Sequence, residues 1–74
     1  MAQERVEIPL TGTIIEVLVT QGSNVSEGDV ICTLDSMKME NPILAPVGGK
    51  IIGIKLSPGQ VVEAGEVAAI IEYD

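Results

Sequence analysis

Shifted by 37 positions, this chain overlies itself: residues 9–35 fall on residues 46–72 without a gap. Eight positions are identical, namely Pro9/Pro46, Gly12/Gly49, Ile14/Ile51, Ile15/Ile52, Gly22/Gly59, Val25/Val62, Gly28/Gly65 and Val30/Val67. Others are conservative, among them Val17/Ile54, Thr20/Ser57, Asp29/Glu66 and Leu34/Ile71. The same local structure is therefore expected twice. A solenoid needs about three or more repeats to cover its faces, so two copies point to one closed, quasi-twofold domain spanning residues 1–74.

At 74 residues, such a domain lies near the size at which a core only just offsets chain entropy. The core must be aliphatic, because Tyr73 is the single aromatic residue. Cys32 has no second cysteine to pair with and the chain has no His, which leaves neither an internal disulfide nor a zinc or haem ligand set. Eleven acidic against four basic residues give a net charge of -7, which repels phosphate backbones and anionic membranes. Nucleic-acid binding is set aside on that ground. The start, Met1-Ala2-Gln3-Glu4-Arg5, lacks the apolar core of a signal peptide, and no apolar run reaches spanning length. A soluble, cytoplasmic protein without membrane insertion is expected.

A core position should be apolar in both copies. By that test Ile15, Val17 and Val19 with Ile52, Ile54 and Leu56 are expected to face inward, and Ile14, Glu16 and Leu18 with Ile51, Gly53 and Lys55 outward. Likewise Val30, Cys32 and Leu34 with Val67, Ala69 and Ile71 are assigned to the core. Cys32 then reads as a small, inert core residue. Turn signals recur at Gln21-Gly22 and Pro58-Gly59, and at Glu27-Gly28-Asp29 and Ala64-Gly65-Glu66, where glycine supplies positive φ. Short alternating strands between such turns indicate an all-β fold, a flattened barrel or sandwich of two short antiparallel sheets, with negligible helix. The offset also predicts that residues 2–8 stand where residues 39–45 stand, pairing with residues 67–73. The termini then meet at the pole opposite the central hairpin.

That hairpin has Met37-Lys38 as a two-residue loop. A loop of this length favours a type I′ turn with positive φ at both residues, normally Asn-Gly or Asp-Gly, and Met and Lys are poor occupants. Strain of about 1 kcal/mol or more per residue tends to collect at functional sites. A solubilising lysine with Met37 and Met39 as gap fillers is the plain alternative, and Met39 has the parity to pack inward beside Ile43. Met37 gains nothing structural at a loop tip.

Asp35-Ser36-Met37-Lys38-Met39-Glu40 resembles the Glu-Ala-Met-Lys-Met signature of biotinyl domains, the biotin carboxyl carrier family, which sit on the biotin/lipoyl attachment scaffold. The following Asn41-Pro42-Ile43-Leu44-Ala45-Pro46 and Gly49-Lys50-Ile51 look like that family's return strand and its Ala-Pro-x-x-Gly turn. Ile8-Pro9-Leu10-Thr11-Gly12 is similar to its Pro-Met-x-Gly opening, and residues 21–29 to its Gly-Asp-x-Val-x-x-Gly segment. Nearly the whole chain is covered.

The resemblance implies a non-catalytic carrier, a barrel-sandwich hybrid with biotin joined by an amide to Lys38. A biotin protein ligase would attach it, reading Met37, Met39, Ser36 and Glu40. The domain would then move a carboxyl group between a biotin carboxylase and a carboxyltransferase or decarboxylase, whose active sites lie elsewhere. Ser36 stands for the usual Ala, Leu10 for Met and Thr11 for a frequent Pro. The gapless repeat leaves no room for the thumb loop of some carriers; with no Ala/Pro-rich stretch among the residues before Pro9, the chain is expected to be either a minimal stand-alone carrier or a domain cut from a larger carboxylase, decarboxylase or transcarboxylase. Two rivals share the scaffold: a lipoyl domain, which typically has Asp-Lys-Ala at its tip, and an unmodified interaction module. An enzyme is disfavoured, since no nucleophile and base pair forms without His, and Glu27, Asp29, Glu63 and Glu66 fall at matching turns where solvated charge explains them.

Overall fold

The computed structural model describes residues 2–74, which form eight strands. They are β1 (Ala2–Glu7), β2 (Gly12–Val17), β3 (Asn24–Val25), β4 (Val30–Ser36), β5 (Met39–Leu44), β6 (Gly49–Ile54), β7 (Val61–Val62) and β8 (Val67–Tyr73). The described residues contain no helix. β2, β3 and β4 recur as β6, β7 and β8 at the 37-residue offset, and β5 recurs as β1. Two antiparallel four-stranded sheets result, ordered β1-β8-β6-β3 and β5-β4-β2-β7. They form an open sandwich; the barrel does not close.

β1 pairs with β8 from Ala2↔Tyr73 to Glu7↔Val67, the quasi-twofold mate of the β4–β5 hairpin, as the offset predicts. The two poles are separated by the course of β2. Gly12 lies against the main chain of Asp35, near the central hairpin. β2 runs away from it, and the chain continues to Gly22 and Asn24, which lie against Ile51 and Lys50. Lys50 in turn pairs with Glu72, next to the Ala2↔Tyr73 junction. The hairpin and the termini thus occupy opposite ends of a body 37 × 20 × 19 Å.

The core corrects the expected strand faces. Ile14 and Ile51 are fully buried, whereas Ile15 is 43% exposed. The cause is a bulge: Ile14 pairs with Leu34 but Glu16 pairs with Thr33, so Ile15 is an extra residue. β6 repeats this, with Ile52 extra between Ile51 and Gly53. A bulge resets the two-residue alternation, so Val17, Val19, Ile54 and Leu56 do pack against the core from its margin. Equivalent bulges at Ile31 and Ala68 turn consecutive residues inward. Ile31 and Cys32 are both buried, as are Ala68 and Ala69, while Val67, assigned to the core, is exposed. Cys32, Leu34, Ala69 and Ile71 are buried as expected.

Four turns lock the halves together, each with its glycine at third position and φ between 89° and 97°: Gly22, Gly28, Gly59 and Gly65. Positive φ there defines type II geometry and favours glycine. Each glycine N–H donates to the other repeat, Gly22 to Ile51 O, Gly59 to Ile14 O, Gly28 to Ala45 O and Gly65 to Ile8 O, at 2.7–2.8 Å. The fourth residue caps the turn. Ser23, Asp29, Gln60 and Glu66 accept from the backbone N–H of Thr20, Ser26, Ser57 and Glu63 respectively. Asp29 and Glu66 are therefore turn caps as well as surface charges.

Candidate functional site

β4 and β5 close on the pair Ser36↔Met39, leaving Met37 and Lys38 as the loop. Their φ values are 52° and 66°, the two positive angles expected of a type I′ turn. No other non-glycine among the described residues has positive φ. The two thus stand side by side at one pole.

The tip is open. Met37 is 92% and Met39 66% exposed, and Lys38 and Glu40 are exposed as well. Met39 does not pack inward beside the buried Ile43, as its parity allowed; it lies past the end of the core, opposite Ser36. The side-chain amide of Asn41 donates to Met39 O at 3.3 Å, steadying the start of the return strand. Asp35 and Glu40 pair directly across the hairpin and are both exposed, putting two carboxylates just below the lysine.

Ser36 is placed differently from its three neighbours. It is the one buried polar residue among the described residues, and its hydroxyl donates to Thr11 O at 2.8 Å. It supports the hairpin from beneath and presents almost no surface to a reader. Two contributors were missed from sequence. Thr11 anchors Ser36 through its carbonyl, and its side-chain oxygen accepts from Ala64 N–H at 3.4 Å. Gly12 passes so close to the Asp35 carbonyl that a Cβ could not be accommodated. Its identity with Gly49 was the available signal, since neither glycine belongs to a turn triplet.

Chemically, the site is a primary amine at the tip of a two-stranded stalk, with the Asp35 and Glu40 carboxylates below it. Among the described residues no group of three His, Cys, Asp or Glu is arranged to hold a metal, and no helix is long and apolar enough to cross a membrane. The exposed amine suits acylation by another protein, and the open tip leaves room for an attached group. These features fit a covalently carried cofactor.

The family model described as "Biotin-requiring enzyme" matches residues 4–71. The chain belongs to this family. Among curated relatives of this biotin-requiring family, the biotinylated protein TB7.3 homolog of Mycobacterium leprae is 40% identical over 68 residues, covering 92% of this chain and 96% of that protein. The biotin carboxyl carrier protein of Streptococcus mutans is 47% identical over 58 residues, 78% of this chain but only 45% of that protein. Among solved structures, a Kluyveromyces lactis urea carboxylase superposes with a TM-score of 0.89 at 29% identity, over 97% of this chain and 6% of that one. The fold thus occurs both as nearly the whole of a small protein and as a small part of a large carboxylase.

Proposed function

We propose that the chain is a single biotin carboxyl carrier unit, with biotin held as an amide on Lys38. The observation that carries the reading is the exposed Met37-Lys38-Met39 tip with positive φ at Met37 and Lys38, in a chain of the biotin-requiring family. When bound, biotin supplies a ring nitrogen that takes up and gives up a carboxyl group. The residues of this chain do the rest by position. Lys38 sets where the arm begins, the β4–β5 hairpin holds that origin at one pole, and Ser36 with Thr11 fastens the hairpin to the loop before β2. A flexible arm on a fixed origin raises the local concentration of its end at any site within reach.

Partners follow from the same reading: a biotin protein ligase that approaches Met37, Met39 and Glu40, with Ser36 setting their presentation from below, then a biotin carboxylase and a carboxyltransferase or decarboxylase. Relatives that are carboxylase subunits, such as the biotin-dependent acyl-coenzyme A carboxylase alpha3 subunit of Mycobacterium leprae, support that assignment. A cytoplasmic location belongs to the same reading.

The test is peptide-level mass spectrometry of the chain co-expressed with a biotin ligase in cells given biotin and lipoate. A single biotinyl addition on Lys38, lost in Lys38→Arg while the fold persists, is expected. A lipoyl addition there, or modification of Lys50 or Lys55, overturns the assignment.

A further inference from the structure

The two repeats differ in what they present on the outer faces of their sheets. On the sheet β1-β8-β6-β3, Arg5, Ile70 and Gly53 form one paired row across three strands. This row faces outward, because the next row, Val6 and Ala69, is buried. It borders an open-sided cleft of about 310 Å³, lined also by Ile54, Lys55 and Val67. At the positions 37 residues away, the other sheet has Glu16 for Gly53, Leu18 for Lys55 and Pro42 for Arg5. Glu16 and Leu18 project as exposed side chains; their counterparts leave the floor bare and put charge on the rim.

Gly53 is not demanded by the backbone. It is not among the positive-φ glycines, and a Cβ there would meet only the Ile70 side chain, at 3.8 Å or more, which is ordinary contact. The missing side chain opens the cleft and serves no turn. Charge adds an independent argument. The chain has four basic residues against eleven acidic, yet two of the four, Arg5 and Lys55, rim this one apolar floor and both are exposed. Two cations thus flank an apolar floor on an otherwise acidic body, with the exposed Glu7 only at the Val67 end, an arrangement that favours an oppositely charged partner between Arg5 and Lys55.

We infer that this cleft docks an extended acidic segment of a partner protein, one that presents an aliphatic side chain between two carboxylates on the same face. β1 and β6 are two strand spacings apart, about 10 Å. Residues i, i+2 and i+4 of an extended segment share a face and span about 13 Å, a difference the long Arg5 and Lys55 side chains take up. The aliphatic residue meets Ile70 and Val67, while the guanidinium of Arg5 takes one carboxylate through paired N–H donors and the ammonium of Lys55 takes the other. Lys38 and its modification are not involved, so this inference goes beyond the carrier reading and stands or falls separately.

The experiment is an amide NMR titration of the unmodified chain with an end-capped Glu-Thr-Val-Thr-Glu peptide, with Lys-Thr-Val-Thr-Lys as control. Saturable shifts centred on Gly53, Ile54 and Ile70 are expected with the acidic peptide only. Raising salt to about 0.5 M, where charges are screened within a few ångströms, weakens them. Gly53→Glu restores the residue found at the equivalent position of the other repeat, so the fold should hold, as undiminished amide dispersion will report. It should weaken binding at least about tenfold by filling the cleft and reversing its charge. No saturable shift up to millimolar peptide, or binding unchanged in Gly53→Glu, overturns the inference. So do identical shifts from acetate alone, which would mean a small-carboxylate site, and shifts that follow protein concentration without peptide, which would mean a second copy of this chain.

Discussion

The Ser36 hydroxyl reaches 25 residues back along the chain to the carbonyl oxygen of Thr11, at 2.8 Å, and so ties the base of the β4–β5 hairpin to the loop that opens β2. Gly12 makes the approach possible by lying against Asp35 without a side chain. The hairpin is therefore braced by a long-range contact as well as by its own ladder.

Removing that brace should be measurable. Ser36→Ala leaves a part-buried carbonyl with one partner fewer, a loss of about 1 kcal/mol, which in a domain of this size lowers Tm by about 4–8 °C. Biotinylation of Lys38 should persist, because the variant restores the alanine common in similar tips. An unchanged Tm in thermal denaturation would show that the bond carries no weight.

The turn itself should be more stable when it is less functional. Met37 sits at φ 52°, where a non-glycine residue costs about 1–3 kcal/mol and glycine adopts the angle freely, at an entropic cost of about 0.5–1 kcal/mol. Met37→Gly should therefore raise the denaturation midpoint by the equivalent of about 1 kcal/mol and, on the proposed carrier reading, should slow ligation by removing a side chain from the tip. A lower midpoint would mean that Met37 is not strained.

Much of this was legible in the residues, and what was not has a physical reason. The offset between Gly22 and Gly59, or Val25 and Val62, reports local turn and strand chemistry, which is encoded within a few residues. The I′ turn at Met37-Lys38 could be read from loop length alone. Ile14 and Ile15 could not be ranked, because both are apolar in both copies and the deciding factor is a bulge set by pairing with Leu34 and Thr33. The burial of Ser36 could not be read from the motif, because its partner, Thr11, lies in another segment.

The two kinds of repeated glycine should respond differently to the same substitution. At Gly22 and Gly59 an added Cβ meets nothing within 4 Å, so alanine there costs only the strain of positive φ, about 1–3 kcal/mol. At Gly12 a Cβ would collide with the Asp35 carbonyl and approach Leu34, forcing β2 and β4 apart. Gly12→Ala should then lose more stability than Gly22→Ala or Gly59→Ala in chemical denaturation, and should also slow biotinylation by displacing Ser36. Equal losses would place the burden on the turns alone.

Cys32 gives the chain a specific alkaline weakness. The thiol is fully buried, and burial pushes its pKa above the ordinary value of 9.0 because the thiolate would lose its hydration. The unfolded thiol ionises first as pH rises, so the stability held by the neutral buried form is complete below that ordinary value and is lost as pH climbs from it toward the folded value. The repeat supplies the control: position 69, the mate of Cys32, is Ala and is equally buried, so Cys32→Ala should be accommodated. Denaturant unfolding at about pH 7 and about pH 10 should show the parent chain losing more stability than the variant, the difference isolating the thiol. An identical pH dependence in the two proteins would show that Cys32 reaches water in the folded state.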